Sequence, residues 1–158
     1  MPCITLTVSF KWEPWLYDNQ HMPFQDFADL SRRSRERCSV PGAAVYKWKG
    51  HLAGGPHEGQ LGVYYGETDD VFRRFGTHYR IGRQETNKRV REDFLKRGDI
   101  YPYVLSVTSV CLSGEDGIDV GFDPDIKTWR LLVEQLLIAH HREAAEDNTW
   151  LVNRQADG

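Results

Sequence analysis

The alternation of apolar and polar residues predicts the first β-strand of the chain, from Ile4 to Phe10. Apolar residues at helical spacing then predict a helix from Phe24 to Cys38. Pro41 and Gly42 interrupt the pattern after this helix. Residues 1–41 are therefore expected to form a strand-helix extension that packs on the rest of the chain.

The middle of the chain predicts an antiparallel hairpin with a long loop. Its strands are expected from Ala43 to Trp48 and from Leu61 to Tyr65, with a glycine-rich loop between them. A third strand is predicted from Tyr101 to Cys111, which is rich in β-branched and aromatic residues. These strands predict an α/β (α+β) fold in which a small central antiparallel three-stranded sheet is flanked by helices. Residues 42–158 would form this core, within a single domain.

Three helices are predicted in the core, two of them beginning near residue types that commonly cap helices. The expected spans are a short helix beginning near Thr68 or Asp69, a basic helix from Glu85 to Arg97, and a helix of about Ile126 to Ala145 capped by Asp123 or Asp125. The acidic residues before the short helix favour its start, because they lie at the positive end of the helix dipole.

Composition places the chain among ordinary globular proteins. Its 158 residues suit one domain, and 40% are hydrophobic while 27% are charged. The three cysteines, Cys3, Cys38 and Cys111, are widely spaced and indicate neither a disulfide framework nor a zinc cluster. We expect a cytoplasmic protein, since neither a secretion signal nor a membrane-spanning stretch is recognisable.

Charge is distributed unevenly along the chain. The segment from Arg73 to Arg97 contains nine basic and three acidic residues, a local net charge of +6 in a chain of net charge −3. Such a segment is suited to contact with a phosphate backbone, although a solvated basic helix face explains the charge equally well. The candidate nucleic-acid-binding residues are Arg73, Arg80, Arg83, Lys88, Arg89 and Arg91.

Four polar residues in and after the hairpin could converge on one surface. Because side chains alternate across a strand, only one of Tyr64 and Tyr65 can share a face with Tyr46. Arg74 lies ten positions after Tyr64, and His78 follows four positions later, one helical turn away. The alternative is that each tyrosine is a packing residue with a tethered hydroxyl group.

Glu134 lies on an otherwise apolar face of the last predicted helix, shared with Leu131 and Ile138. A buried carboxylate needs a partner, because removing the charge from water costs several kcal/mol. Arg130, one turn earlier, could pair with it, for a gain of only about 0.2 to 0.5 kcal/mol. A divalent metal ion explains the carboxylate better.

Taken together and in this order, these residues resemble the GIY-YIG nuclease superfamily, over roughly residues 42–153. The resemblance places the two motif tyrosines at Tyr46 and Tyr64, although Ala44 and Tyr65 depart from the motif letters. It implies roles for Arg74 and His78 on the following helix and a metal-binding role for Glu134. The superfamily's late asparagine would be Asn153 or, alternatively, Asn148.

The resemblance implies an enzyme that hydrolyses phosphodiester bonds with Mg²⁺, for which Mn²⁺ could substitute. Glu134 would hold the metal, Arg74 would stabilise charge on the phosphoryl oxygens, and one tyrosine would orient or deprotonate the attacking water. His78 would be a general acid or a phosphate ligand. Which tyrosine could act as the base stays open.

The expected function is therefore a restriction-like DNA endonuclease that cuts double-stranded DNA, and cutting both strands favours a homodimer. Two alternatives remain: a catalytically silent nucleic-acid-binding module, and a repair or recombination nuclease selective for branched DNA.

Overall fold

A computed structural model describes residues 3–24, 26, 34–79, 82–84, 90, 92, 99–114, 121–144 and 149–153. The described chain is mostly β and is organised by a curled, mixed five-stranded sheet. The five strands are β1 (Thr5–Pro14), β4 (Ala44–His51), β5 (Leu61–Thr68), β6 (Asp99–Ser113) and β7 (Thr149–Leu151). Their order across the sheet is β1-β6-β4-β5-β7. Two short strands, β2 (Leu16–Tyr17) and β3 (Gln20–His21), form a separate hairpin.

The predicted fold class, a small three-stranded antiparallel sheet flanked by helices, is wrong. Strands β4, β5 and β6 do form an antiparallel core, but β1 pairs with β6 on one side and β7 pairs in parallel with β5 on the other. Pairings between such distant segments leave no signal in a local pattern, and β7 has only three residues. The sheet is therefore larger than the apolar pattern indicated, and it is mixed.

The N-terminal residues contribute directly to this sheet. Trp15, which follows β1, is fully buried and packs edge-on against Phe75, with ring centroids 5.2 Å apart. Phe24 packs in the same way against Trp48, at 4.6 Å. Most of the helix predicted from Phe24 to Cys38 lies outside the described residues, and its last part is a 3-10 turn at Arg35–Arg37.

Hairpin β4–β5 is confirmed, with both strands longer than predicted. Tyr46 pairs with Gly66, and Trp48 pairs with Tyr64. A Cβ atom on Gly66 would overlap the phenol of Tyr46, so the absence of a side chain lets that ring lie across β5. Gly66 therefore determines the position of the Tyr46 hydroxyl group.

Two helices are described besides the 3-10 turn. Helix α1 (Val71–Arg73) continues as a π-turn, Arg74–His78, and helix α2 spans Lys127–Glu143. The α1 cap is Asp70, whose side chain accepts a hydrogen bond from the Arg73 backbone N–H at 2.8 Å, and not Thr68 or Asp69. No described helix is long and apolar enough to cross a membrane. Most of the basic helix predicted from Glu85 to Arg97 lies outside the described residues.

The start of α2 also differs from expectation. Neither Asp123 nor Asp125 caps it, since Ile126 occupies the cap position and makes no side-chain cap. The Arg130 side chain instead donates hydrogen bonds to the carbonyl oxygens of Pro124, at 2.8 Å, and Asp125, at 3.1 Å. A side chain of the first turn of α2 thus holds the backbone segment that leads into the helix.

The sheet separates two apolar clusters. One face carries an aromatic cluster that includes Trp15, Tyr46, Trp48, Tyr64, Phe75 and Tyr79. The other face packs against α2 and carries a smaller cluster of Val45, Val63, Tyr65, Val133, Leu137 and Ile138. We refer to them as the aromatic face and the helix face.

Candidate functional site

Arg74 lies at the centre of the polar groups on the aromatic face. It is half-buried at the start of the π-turn, and its Nε donates a hydrogen bond to the Tyr46 hydroxyl at 3.3 Å. Its guanidinium carbon lies 4.8 Å from the centroid of the Tyr79 ring, a cation-π geometry. A π-turn is uncommon and occurs frequently at functional sites, and here it brings Tyr79 beneath Arg74.

Tyr46 and Tyr79 form a buried pair of phenols. Neither side chain is exposed, and their hydroxyl groups are hydrogen-bonded to each other. Burial raises the pKa of both hydroxyls well above the ordinary value, although Arg74 opposes the shift. Both phenols are therefore neutral at physiological pH.

Tyr64 shares the aromatic face with Tyr46, as alternation along the strands requires. Burial raises its pKa well above the ordinary value, and the neighbouring phenol of Tyr79 adds to the shift. Arg74 lowers the same pKa and Glu134 raises it, so both charges lie within electrostatic range of this hydroxyl. Tyr65, on the helix face, takes no part in the cluster.

His78 ends the π-turn and is half-buried. Its pKa is lowered, first by burial and then by the positive charges of Arg74 and Arg73, while Asp69 and Asp70 oppose the shift. The imidazole is therefore neutral at pH 7. A neutral ring can accept a proton, whereas it cannot serve as a charged phosphate ligand.

Glu134 is half-buried on α2 beside a second carboxylate, Glu67 of β5. Burial raises the pKa of Glu134 to about 7, and the charge of Glu67 adds to the shift. The side chain of Gln135 and the charge of Arg74 act in the opposite direction. The predicted alternative partner, Arg130, instead forms a salt bridge with Glu67 at 2.8 Å.

Arg74 and Glu134 influence each other without forming an ion pair. The charge of Arg74 lowers the pKa of Glu134, yet neither residue has a salt bridge within the part of the chain that the structure describes. A half-buried cation and a half-buried anion thus lie within electrostatic range of each other with no described salt bridge between them. Such an arrangement can accept a ligand that carries both signs of charge, such as a phosphate with its counter-cation.

Five of the six predicted catalytic residues share electrostatic contact with this region: Tyr46, Tyr64, Arg74, His78 and Glu134. Asn153 does not. Its side-chain amide accepts a hydrogen bond from the Tyr65 backbone N–H and donates one to the Tyr65 carbonyl, both at 2.8 Å. Asn153 therefore extends the pairing of β7 with β5, while Asn148 lies outside the described residues.

The predicted nucleic-acid contacts are described only in part. Arg73 is exposed and pairs with Asp69 at 3.0 Å, and Arg83 is exposed. The other four candidates, Arg80, Lys88, Arg89 and Arg91, lie outside the described residues.

Glu134 would be the protein ligand of a metal ion. Within the described ranges, no three His, Cys, Asp or Glu side chains form a cluster that could hold one. Mg²⁺ is commonly bound through one or two carboxylates together with water and substrate phosphates. A carboxylate whose charge is opposed by burial and by Glu67 fits such a cation, because a divalent ion would offset both effects.

Sequence reasoning missed Tyr79 and Glu67. Tyr79 follows Arg74 by five residues. In an α-helix two side chains at this spacing would point in different directions, whereas the π-turn brings Tyr79 under Arg74. Glu67 lies two positions after Tyr65 and faces α2, so alternation along β5 could have placed it opposite Arg130.

Comparisons with protein-family models, with curated proteins and with solved structures found no match to this chain.

Proposed function

We propose that this protein is a metal-dependent endonuclease that hydrolyses phosphodiester bonds in double-stranded DNA, as members of the GIY-YIG superfamily do. The observation that carries the proposal is the pair of half-buried opposite charges, Arg74 and Glu134, which lie in electrostatic range without a salt bridge among the described residues. A scissile phosphate would meet Arg74 and a metal ion would meet Glu134.

Arg74 is the phosphate-contacting group in this proposal. Its described neighbours are phenols, which hold the guanidinium in place but leave its charge uncompensated. The planar guanidinium presents five N–H donors, and it hydrogen-bonds to both Tyr46 and Tyr79. The remaining donors suit the phosphoryl oxygens, where charge increases in the transition state.

The buried phenols act as positioning residues. Deprotonating Tyr46 at pH 7 would need a pKa far below its ordinary value, whereas burial moves the pKa in the opposite direction. Tyr46 and Tyr79 therefore orient Arg74, and Tyr64 offers a neutral hydroxyl next to the same guanidinium. A role for either motif tyrosine as general base is disfavoured.

His78 is the better proton acceptor. Its neutral imidazole lies one turn from Arg74, and its lowered pKa keeps it free to take a proton from an attacking water at pH 7. Glu134 holds the cation, for which Mg²⁺ or Mn²⁺ is suited to an oxygen ligand. When bound, the cation would neutralise charge on the scissile phosphate and polarise it as a Lewis acid.

A second candidate is a nucleic-acid-binding module without catalytic activity. The complete burial of Tyr46 favours it, because a hydroxyl that does not reach solvent cannot itself touch an attacking water. Arg74 would then contact a backbone phosphate without promoting its cleavage.

Nicking of supercoiled plasmid in Mg²⁺ or Mn²⁺ separates the two candidates. We expect cleavage by the wild type and none by Glu134→Gln, which removes the charge and keeps the shape. Glu143→Gln is the matched control, because Glu143 is exposed at the end of the same helix. Wild-type binding to DNA with no cleavage in either metal would refute the nuclease and support the module.

Two further readouts define the substrate and the assembly. Cleavage of linear duplex in preference to flaps or four-way junctions would support a restriction-like enzyme over a repair or recombination nuclease. Cutting both strands at one site favours a homodimer, so sedimentation in the presence of DNA should show two copies per duplex. A monomer that cuts both strands would contradict this assembly.

A further inference from the structure

The helix face contains a cavity that the proposed active site does not use. It has a volume of about 230 Å³ and lies between the middle strands of the sheet and the C-terminal end of α2. Because directly paired residues share a face, Lys47, Lys49 and Tyr65 point away from the Tyr46 side of the sheet. The lining residues are Lys47, Lys49, Leu61, Val63, Tyr65, His140, His141, Ala144 and Thr149.

Positive charge dominates this cavity. Lys47 and Lys49 project from β4, His140 and His141 come from α2, and no described lining residue is acidic. Neither lysine forms a salt bridge with any described residue. The described lining of the cavity therefore carries two lysine ammonium groups and no carboxylate.

Lys47 is held in place by aromatic rings. Its ammonium group lies 4.4 Å from the centroid of the Trp12 ring and 5.6 Å from that of Tyr103. Burial lowers its pKa to about 8, and the adjacent charge of Lys49 contributes. An anion in the cavity would offset both effects, and the rings would keep the ammonium group oriented toward it.

A hydrogen-bonded pair of polar side chains completes the site. The Tyr65 hydroxyl and His141 Nδ1 are 3.1 Å apart, so two polar groups meet at the cavity wall. Leu61 and Val63 supply an apolar floor. Since a water molecule occupies about 30 Å³ of the liquid, the cavity has room for an ion of phosphate size with part of its hydration.

We propose that Lys47, Lys49, Tyr65 and His141 form a second anion site, which binds a phosphate group carried by a free nucleotide or by a nucleic-acid strand. The site is distinct from the Arg74 region, because the two lie on opposite faces of the sheet. Its existence does not depend on nuclease activity.

Binding measured without metal tests the proposal, since cleavage then plays no part. Backbone amide NMR signals would be followed while inorganic phosphate, deoxyadenosine 5′-monophosphate or a 12-base-pair duplex is added. We expect signals of residues 47, 49, 65 and 141 to shift with at least one probe. Lys47→Met should weaken that binding at least about tenfold and Lys49→Gln several-fold, because charge-assisted hydrogen bonds are lost.

Lys11→Gln is the matched control, as Lys11 is exposed and already paired with Glu13 at 2.9 Å. Lys49 is also exposed, so Lys49→Gln keeps the test valid if Lys47→Met fails to fold. A shift with the mononucleotide alone identifies a free-nucleotide site, and a shift with the duplex identifies a strand contact. The proposal is overturned if no probe shifts these signals, or if Lys49→Gln binds like Lys11→Gln.

Discussion

Two arginines on opposite faces of the sheet differ in what surrounds them, and the difference separates a structural site from a functional one. Arg130 is 3% exposed, forms a salt bridge with Glu67 at 2.8 Å, and donates to two backbone carbonyls. Arg74 is half-buried, and its described partners are the phenols of Tyr46 and Tyr79. A guanidinium with a carboxylate is already neutralised, whereas one held by phenols remains able to bind an anion.

The largest effect expected from this comparison is on cleavage. Arg74→Gln should lower the cleavage rate by about 10³-fold, since removing one preorganised transition-state donor typically costs this much. The melting temperature should fall by only a few degrees, because the contacts with Tyr46 and Tyr79 are lost but no described ion pair is broken. Cleavage assays and thermal unfolding of the same preparation give both numbers.

Retention of cleavage within about tenfold of wild type would contradict the assignment of Arg74. A variant that is inactive but also unfolded would place Arg74 with Arg130 as a structural residue. Lys11→Gln is the matched control, because Lys11 is an exposed cation outside the proposed site and is paired with Glu13.

The next largest effect is on stability. Arg130→Ala should lower the free energy of unfolding by about 3 kcal/mol, because it leaves the carboxylate of Glu67 without its partner. Chemical denaturation would measure it. Replacing both residues with methionine should recover most of the loss, since no unpaired charge then remains. A loss from Arg130→Ala below about 1 kcal/mol would show that the pair is no stronger than an exposed one.

The hairpin and its polar residues could be predicted because their signals are local. Alternation along β4 and β5 predicted that only one of Tyr64 and Tyr65 shares the face of Tyr46, and in the structure it is Tyr64, the residue that the family resemblance indicated. The rest of the sheet could not be predicted in this way. Pairing of β1 with β6 joins residues about a hundred positions apart, as in Thr5 with Ser113.

The site shows the same division. Glu134 was identified because a carboxylate stood out on an apolar helix face, and the structure places it within range of Arg74. Tyr79 could not be identified, since its position depends on a π-turn that helical periodicity does not encode. The late asparagine was chosen by its place after an apolar run, but Asn153 makes its described hydrogen bonds with the backbone of Tyr65.

The pH dependence of cleavage sharpens the comparison further. Burial and Glu67 raise the pKa of Glu134 to about 7, and a metal binds only its ionised form. Below pH 7 the apparent metal affinity should therefore fall about tenfold per pH unit, and the cleavage rate at limiting metal should fall with it. His78 should cause no further change in the cleavage rate above pH 7, because its pKa is lowered.

Above pH 8 the same rate should reach a plateau that continues beyond pH 10, since the pKa values of Tyr46 and Tyr64 are raised. A decline or a further rise near pH 10 would indicate that one of these phenols titrates in the accessible range. Glu134→Gln should show no cleavage at any pH, because its side chain cannot ionise to bind the metal.

The smallest expected effect is that of Tyr79→Phe, which tests whether phenols position Arg74. The variant keeps the ring beneath the guanidinium, at 4.8 Å in the wild type, and removes the hydroxyl that bonds to Tyr46 and to Arg74. A hydrogen bond is worth about 1 kcal/mol, so kcat should fall about fivefold, with KM nearly unchanged, if Arg74 acts in the transition state. Tyr17→Phe removes a buried hydroxyl that instead accepts a hydrogen bond from the Ser34 backbone N–H at 3.1 Å, and it should leave kcat unchanged. Equal effects of the two variants would mean that the phenols only pack, and that the contrast between Arg74 and Arg130 rests on the carboxylate alone.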